Sequence, residues 1–208
     1  MSGYVSYTEN YLFDNVKKHT VPIIKATPEN FKNYGYFVHN YFSEKVIIKQ
    51  WPHTGWRKVA DGTGYGGGTV EGNFSYTLDG KYMKATNDAV GGYYIIGILN
   101  ENSILTREAN YHPDGGQIFF PFKSGPFILL LALPGDNIKM DDFVGFYFKG
   151  SVGVQIFPGV WHQPAFPING EATFVTKQGA VHACVVVDTV NEFNSWLEIP
   201  LGTVKNNS

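Results

Sequence analysis

The feature that most constrains this chain is a succession of short apolar and aromatic runs, each closed within a few residues by Gly, Pro, Asn or Asp. VIIKQW (46–51), NFSYTL (73–78), KYMKAT (81–86), YYIIGIL (93–99), SILTREAN (103–110), QIFFPF (117–122), FILLLAL (127–133), VGFYFKG (144–150), VGVQIF (152–157), EATFVTK (171–177) and AVHACVVVD (180–188) all have strand length. Such spacing, with turn residues between, is the pattern of a β-sandwich or barrel. The 24 glycines and the 16% of aromatic residues serve the same architecture, as turn formers and strand formers. Asp79-Gly80 between two runs predicts a tight hairpin. Helix signals are few. ATPENFKNYG offers Thr27 as a cap, Pro28 in the first turn and Gly35 as a stop, and TVNEFNSW (189–196) allows a second short helix.

A chain of 208 residues is long enough to bury one substantial core, so residues 1–208 are expected to form a single domain. Sixteen basic against eighteen acidic residues, with no basic run, exclude an electrostatic nucleic-acid binder. FILLLAL ends at Pro134 and is too short to span a bilayer, and the N-terminal stretch lacks the pattern of a secretory signal; no membrane partner is expected. The single cysteine, Cys184, lies among Ala and Val and reads as a buried structural residue. Gly62, Gly64 and Gly67 form a literal G-x-G-x-x-G without the strand and helix that a dinucleotide site requires, so the segment reads as a loop, with a lid as its functional option.

The residues able to do chemistry cluster in two places. In REANYHPDGGQ, alternation puts Glu108, Asn110 and His112 on one strand face, with Gln117 opening the next strand. In FPGVWHQP, a Pro-Gly turn, Trp161 and Pro164 hold His162 in a fixed place. Serine-hydrolase elbows and zinc-protease motifs are absent. The H-x-H spacing of many metal-binding barrels is also missing, so no cofactor and no stoichiometric metal are expected, although a divalent ion on His112, His162, Gln117 and Glu108 stays open.

The order of these pieces resembles the ureidoglycolate lyase (ureidoglycolate hydrolase) family of the cupin superfamily. The resemblance rests on ATPENFKNYG, on Glu108, His112, Pro113, Gln117, Phe119 and Pro121, on FILLLALP, on Val160, Trp161, His162 and Pro164, and on LEIPL. It covers residues 22–201. Where the family has an acidic and then a basic residue before its first motif histidine, this chain has Asn110 and Tyr111, and residues 55–92 look like a glycine-rich insertion. The resemblance implies a mainly-β cupin-like double-stranded sandwich or barrel with few short helices. It also implies a cytoplasmic homodimer acting on a small molecule, cleaving (S)-ureidoglycolate to glyoxylate and urea in purine (allantoin) degradation. His162, His112 and Glu108 are then the expected acid and base groups. Gln117, Asn110, Arg107 and Trp161 are the expected substrate contacts, Trp161 as the wall behind His162. Another cupin enzyme on a small polar acid, or a non-catalytic cupin binding protein, is the alternative.

Overall fold

The computed structural model describes residues 15–49, 55–60, 68–123, 125–180 and 183–202. Two sheets organise them. The larger runs in the order Lys17–Thr20, Ser195–Pro200, Ser103–Thr106, Gly92–Asn100, Tyr82–Asn87, Thr69–Asp79, Ala172–Gly179, Gln117–Pro121, Gly153–Ile156, Gly35–Val38. The smaller runs Val185–Asp188, Glu108–Tyr111, Trp161–His162, Phe127–Ala132, Val144–Phe148, Ile23–Lys25, with Phe166–Pro167 also paired to Phe127–Ala132. Only the pairings of Lys17–Thr20 and Ile23–Lys25 are parallel among these strands. The expected mainly-β double sheet is therefore what forms.

The core lies between the sheets. Phe127 to Ala132 are each 0% exposed, which explains why that strand is apolar at every position rather than at alternate ones. Phe127 stacks on Phe148 at 4.9 Å within its own sheet and meets Phe174 of the larger sheet edge-on at 5.1 Å. Such aromatic pairs add to the burial of their own area and help fix how the sheets face each other.

Several expectations are refined. The run 103–110 is two strands in different sheets, Ser103–Thr106 and Glu108–Tyr111, separated at Arg107. In the run 46–51 the described residues make only an isolated bridge, Ile48 with Gly115, because the Ile47 N–H is taken by the Gln155 side chain at 2.8 Å instead of a strand partner. Gln50 and Trp51 lie outside the described residues, as do Gly62, Gly64 and Gly67. The strand Thr69–Asp79 reaches back into the segment read as a loop, and the hairpin turn falls on Gly80-Lys81, one residue later than expected, with Gly80 at φ 57°.

Both helices exist and are short. Pro28–Phe31 is capped by Thr27, whose hydroxyl accepts from the Asn30 N–H at 3.2 Å. Gly35 does not stop it. Gly35 starts a strand instead, where a Cβ would stand 1.9 Å from the Gln155 carbonyl oxygen, so glycine is required for the close pairing. Thr189–Phe193 is capped by Asp188, and Asn194 at φ 50° ends it in the left-handed region. No helix of the described residues is long and apolar enough to cross a membrane.

Arg107 holds the crossing between sheets. Its side chain is 1% exposed and forms a two-pronged pair with Asp188, Nε to Oδ1 at 3.0 Å and Nη2 to Oδ2. The Arg107 carbonyl accepts from the N–H and the hydroxyl of Thr189. Replacing Arg107 by Met leaves the Asp188 carboxylate without its buried partner. We expect a loss of about 3–5 kcal/mol in urea unfolding; a stability equal to that of the unmodified chain would show that the pair does not hold the crossing.

Candidate active site

Two turns bring the expected histidines together. The strand Glu108–Tyr111 delivers His112, and the turn after Phe157 delivers His162. Gly159, at φ 84°, closes that turn and donates its N–H to the His112 carbonyl at 2.9 Å, so one hydrogen bond links the two segments. The imidazole centroids are 5.0 Å apart. Each Nδ1 lies 2.8 Å from a backbone carbonyl oxygen, that of Ala183 for His112 and that of Val160 for His162. Both Nε2 atoms converge on the Gln117 side-chain oxygen, at 3.3 Å from His112 and 3.1 Å from His162. The three residues are buried, at 6%, 3% and 3% exposure.

Asn110 completes this face. It is the register partner of His162, and directly paired residues project to the same side of a sheet. Its Oδ1 is buried and has no hydrogen-bond partner among the described residues, an exception in a folded protein. Glu108 is two residues back on the same strand face. Burial raises its carboxyl to about 7, with the Asp188 carboxylate adding to the rise and Arg107 opposing it. Burial by itself lowers the His112 pKa. The Cys184 sulfur, the Ala183 carbonyl and the Gln117 amide oxygen outweigh that and bring it to about 9.

Arg107 and Trp161 stand apart from this cluster. Arg107 is engaged with Asp188. Trp161 follows the opposite face of its strand from His162, is 0% exposed, packs its ring against Tyr111 at 4.7 Å and donates Nε1–H to the Gly135 carbonyl at 2.8 Å. It anchors the turn rather than the imidazole. Cys184 is buried as expected, yet its Sγ lies 3.5 Å from His112 Nδ1. Sequence reading missed Asn87, Thr176 and Gln178, three buried polar residues of the larger sheet that reach Gln117 directly or through one another. They belong to strands far apart in sequence and to no local motif. Among the described residues no group of three or more His, Cys, Asp and Glu side chains is arranged to hold a metal ion.

Two mainly antiparallel sheets enclosing a buried set of imidazole, amide and carboxyl groups define a cupin-type barrel with an enzyme-like site. The family model for ureidoglycolate lyase matches residues 18–194, and the chain belongs to that family. Among curated relatives, the chain is similar to the ureidoglycolate lyase of Azotobacter vinelandii, 33% identical over 83 residues that cover 39% of this chain and 50% of the relative. The ureidoglycolate lyase of Pseudomonas savastanoi pv. phaseolicola is 33% identical over 75 residues, 35% of this chain and 44% of the relative. That of Pseudomonas entomophila is 31% identical over 86 residues, 40% of this chain and 52% of the relative. The chain thus spans about half the length of the curated relatives it matches.

Glu108 gives the site a stability signature. Its folded pKa of about 7 exceeds its ordinary 4.5, so between these values the native state holds a proton that the unfolded chain has lost. Stability contributed by the neutral carboxyl is present at low pH and falls as pH rises through that window, by up to about 3 kcal/mol. Glu108→Gln carries no such proton. Its melting temperature relative to the unmodified chain is expected to rise between about pH 5 and about pH 8; a difference independent of pH would place Glu108 in water.

Proposed function

We propose that this chain is a ureidoglycolate lyase, releasing glyoxylate and urea. The observation that carries the reading is the His112–Gln117–His162 contact, which lies within the residues the family model matches, with a titratable carboxyl on the same face. Ureidoglycolate bears a hydroxyl and a ureido nitrogen on one carbon. Cleavage takes the hydroxyl proton to a base, forms the carbonyl of glyoxylate, breaks the carbon–nitrogen bond and places a proton on the departing urea nitrogen. The overall reaction is neither an oxidation nor a hydrolysis, so it asks only for positioned acid and base groups.

His112 supplies the acid. With a pKa of about 9 it is imidazolium at neutral pH. Glu108 supplies the base, since a carboxyl near 7 is partly ionised at neutral pH and retains appreciable basicity. His162 holds the Gln117 oxygen from the other side and is the second imidazole within reach of substrate. Asn110 Oδ1, buried and unpartnered among the described residues, accepts an N–H of the ureido group. Backbone N–H groups balance the substrate carboxylate, since Arg107 is committed to Asp188. By analogy with the family, the protein works as a homodimer in the cytoplasm in purine breakdown.

The test is urea and glyoxylate release from (S)-ureidoglycolate. His112→Asn is expected to lower kcat at least about a hundredfold, the low end for a positioned acid–base group, and His162→Asn to lower kcat or raise KM. The rate should climb as pH passes about 7, where Glu108 ionises, and fall beyond about 9, where His112 loses its proton. Glu108→Gln should flatten the acidic limb and leave the alkaline one. Normal turnover in both histidine variants would remove the pair from the mechanism, and absence of turnover in the unmodified chain would remove the lyase reading.

A further inference from the structure

Gln117 carries one carbonyl oxygen and one NH2 group, and which of them faces the imidazoles decides what the pair can do. The rings do not settle it, because an imidazole nitrogen can donate or accept. The choice is made by a chain of buried amides on the larger sheet. The backbone N–H of Ala89 can only donate, and it donates to Asn87 Oδ1 at 3.1 Å. Asn87 therefore turns its Nδ2 toward Gln178 and donates to Oε1 at 2.9 Å. The same Gln178 oxygen accepts from Gln117 Nε2 at 3.1 Å. That leaves the Gln117 oxygen for His112 and His162. Thr176 Oγ1 also lies 3.4 Å from Gln117 Nε2, but a hydroxyl donates and accepts and imposes no direction. Asn87 is 0%, Gln178 1% and Gln117 3% exposed, so water does not compete for these groups.

We propose that Asn87 is a positioning residue: acting through Gln178, it sets the polarity of the Gln117 amide so that its carbonyl oxygen faces the two imidazoles. Each ring then has an acceptor oxygen at both nitrogens, a backbone carbonyl at Nδ1 and Gln117 at Nε2. Each Nε2 is thereby held as a hydrogen-bond donor toward Gln117, the form that a proton donor to a leaving nitrogen needs. This last consequence rests on the lyase reading; the amide chain itself does not.

Two variants place one extra negative charge at neighbouring points of the chain with opposite demands. Asn87→Asp replaces the donor to Gln178 by an acceptor, and the repulsion is relieved when Gln178 and then Gln117 rotate their amides and turn NH2 onto the rings. Gln178→Glu keeps an oxygen where both neighbouring amides donate, and so keeps Gln117 as it is. Nuclear magnetic resonance of isotope-labelled histidine in the full, substrate-free chain reports which ring nitrogens carry protons. Unmodified protein and Gln178→Glu should show protonated Nε2 on His112 and His162, and Asn87→Asp should lose that signature at the same pH. Turnover should fall at least about tenfold further in Asn87→Asp than in Gln178→Glu, the scale of residues that orient an active group through another. If Asn87→Asp does not fold, Asn87→Ala removes the key without adding charge and should give a mixture of both ring states. A folded Asn87 variant that keeps the unmodified ring spectrum, or both charged variants shifting it alike, overturns the proposal. The expected ring spectra without turnover in any form remove the lyase reading and leave the amide chain standing.

Discussion

The site depends on how firmly the chain is held where it changes sheets, at Arg107. A guanidinium in the interior must be paired, and Asp188 pairs it on two prongs. The same carboxylate accepts from the N–H groups of Val190 and Asn191 and so starts the short helix that follows. Asp188 is also the register partner of Glu108. One residue therefore fixes the crossing, begins the helix and sets the alignment of the strand that ends in His112. Because the side-chain period of a strand is two, a slip of one residue there would turn Glu108 and Asn110 to the other face.

That alignment has an electrostatic cost, and the cost has a use. Glu108 is dry enough, with the Asp188 carboxylate adding to the effect, that its carboxyl holds a proton to about 7. An exposed glutamate would be fully ionised at neutral pH and a weak base. Burial thus sets the protonation of Glu108, and the two members of the ion pair at the crossing push it in opposite directions. Arg107 acts on the site from the other side of the pair rather than as a substrate contact.

The polar cluster sits within an aromatic and aliphatic core, and its geometry follows from the requirement that buried polar groups be satisfied. Phe174 and Gln178 lie four residues apart on one strand and so on one face, the first packing against Phe127, the second bonding Asn87 and Gln117. The same two sheets that press the aromatic rings together therefore also carry the amides to the imidazoles. Asn110 Oδ1 is the atom left without a hydrogen-bond donor among the described residues of this face.

The sequence by itself determined the mainly-β architecture and most strand positions, and it marked His112 and His162 as residues of two separate motifs. Period-two alternation, turn residues and local caps are short-range properties, and they survive in any tertiary setting that buries one face. It did not determine that SILTREAN is two strands, that Val46 to Lys49 forgo a ladder, or that Gly35 serves a close backbone contact. Each of these depends on a partner far along the chain: Asp188, Gln155 and the Gln155 carbonyl. Only the tertiary structure decided that Arg107 pairs inward, that Trp161 anchors a turn from the far face, and that Asn87 and Gln178 stand behind Gln117. Hydrogen-bond polarity passes between side chains that meet only once both sheets have formed, so no local pattern of residues can encode it.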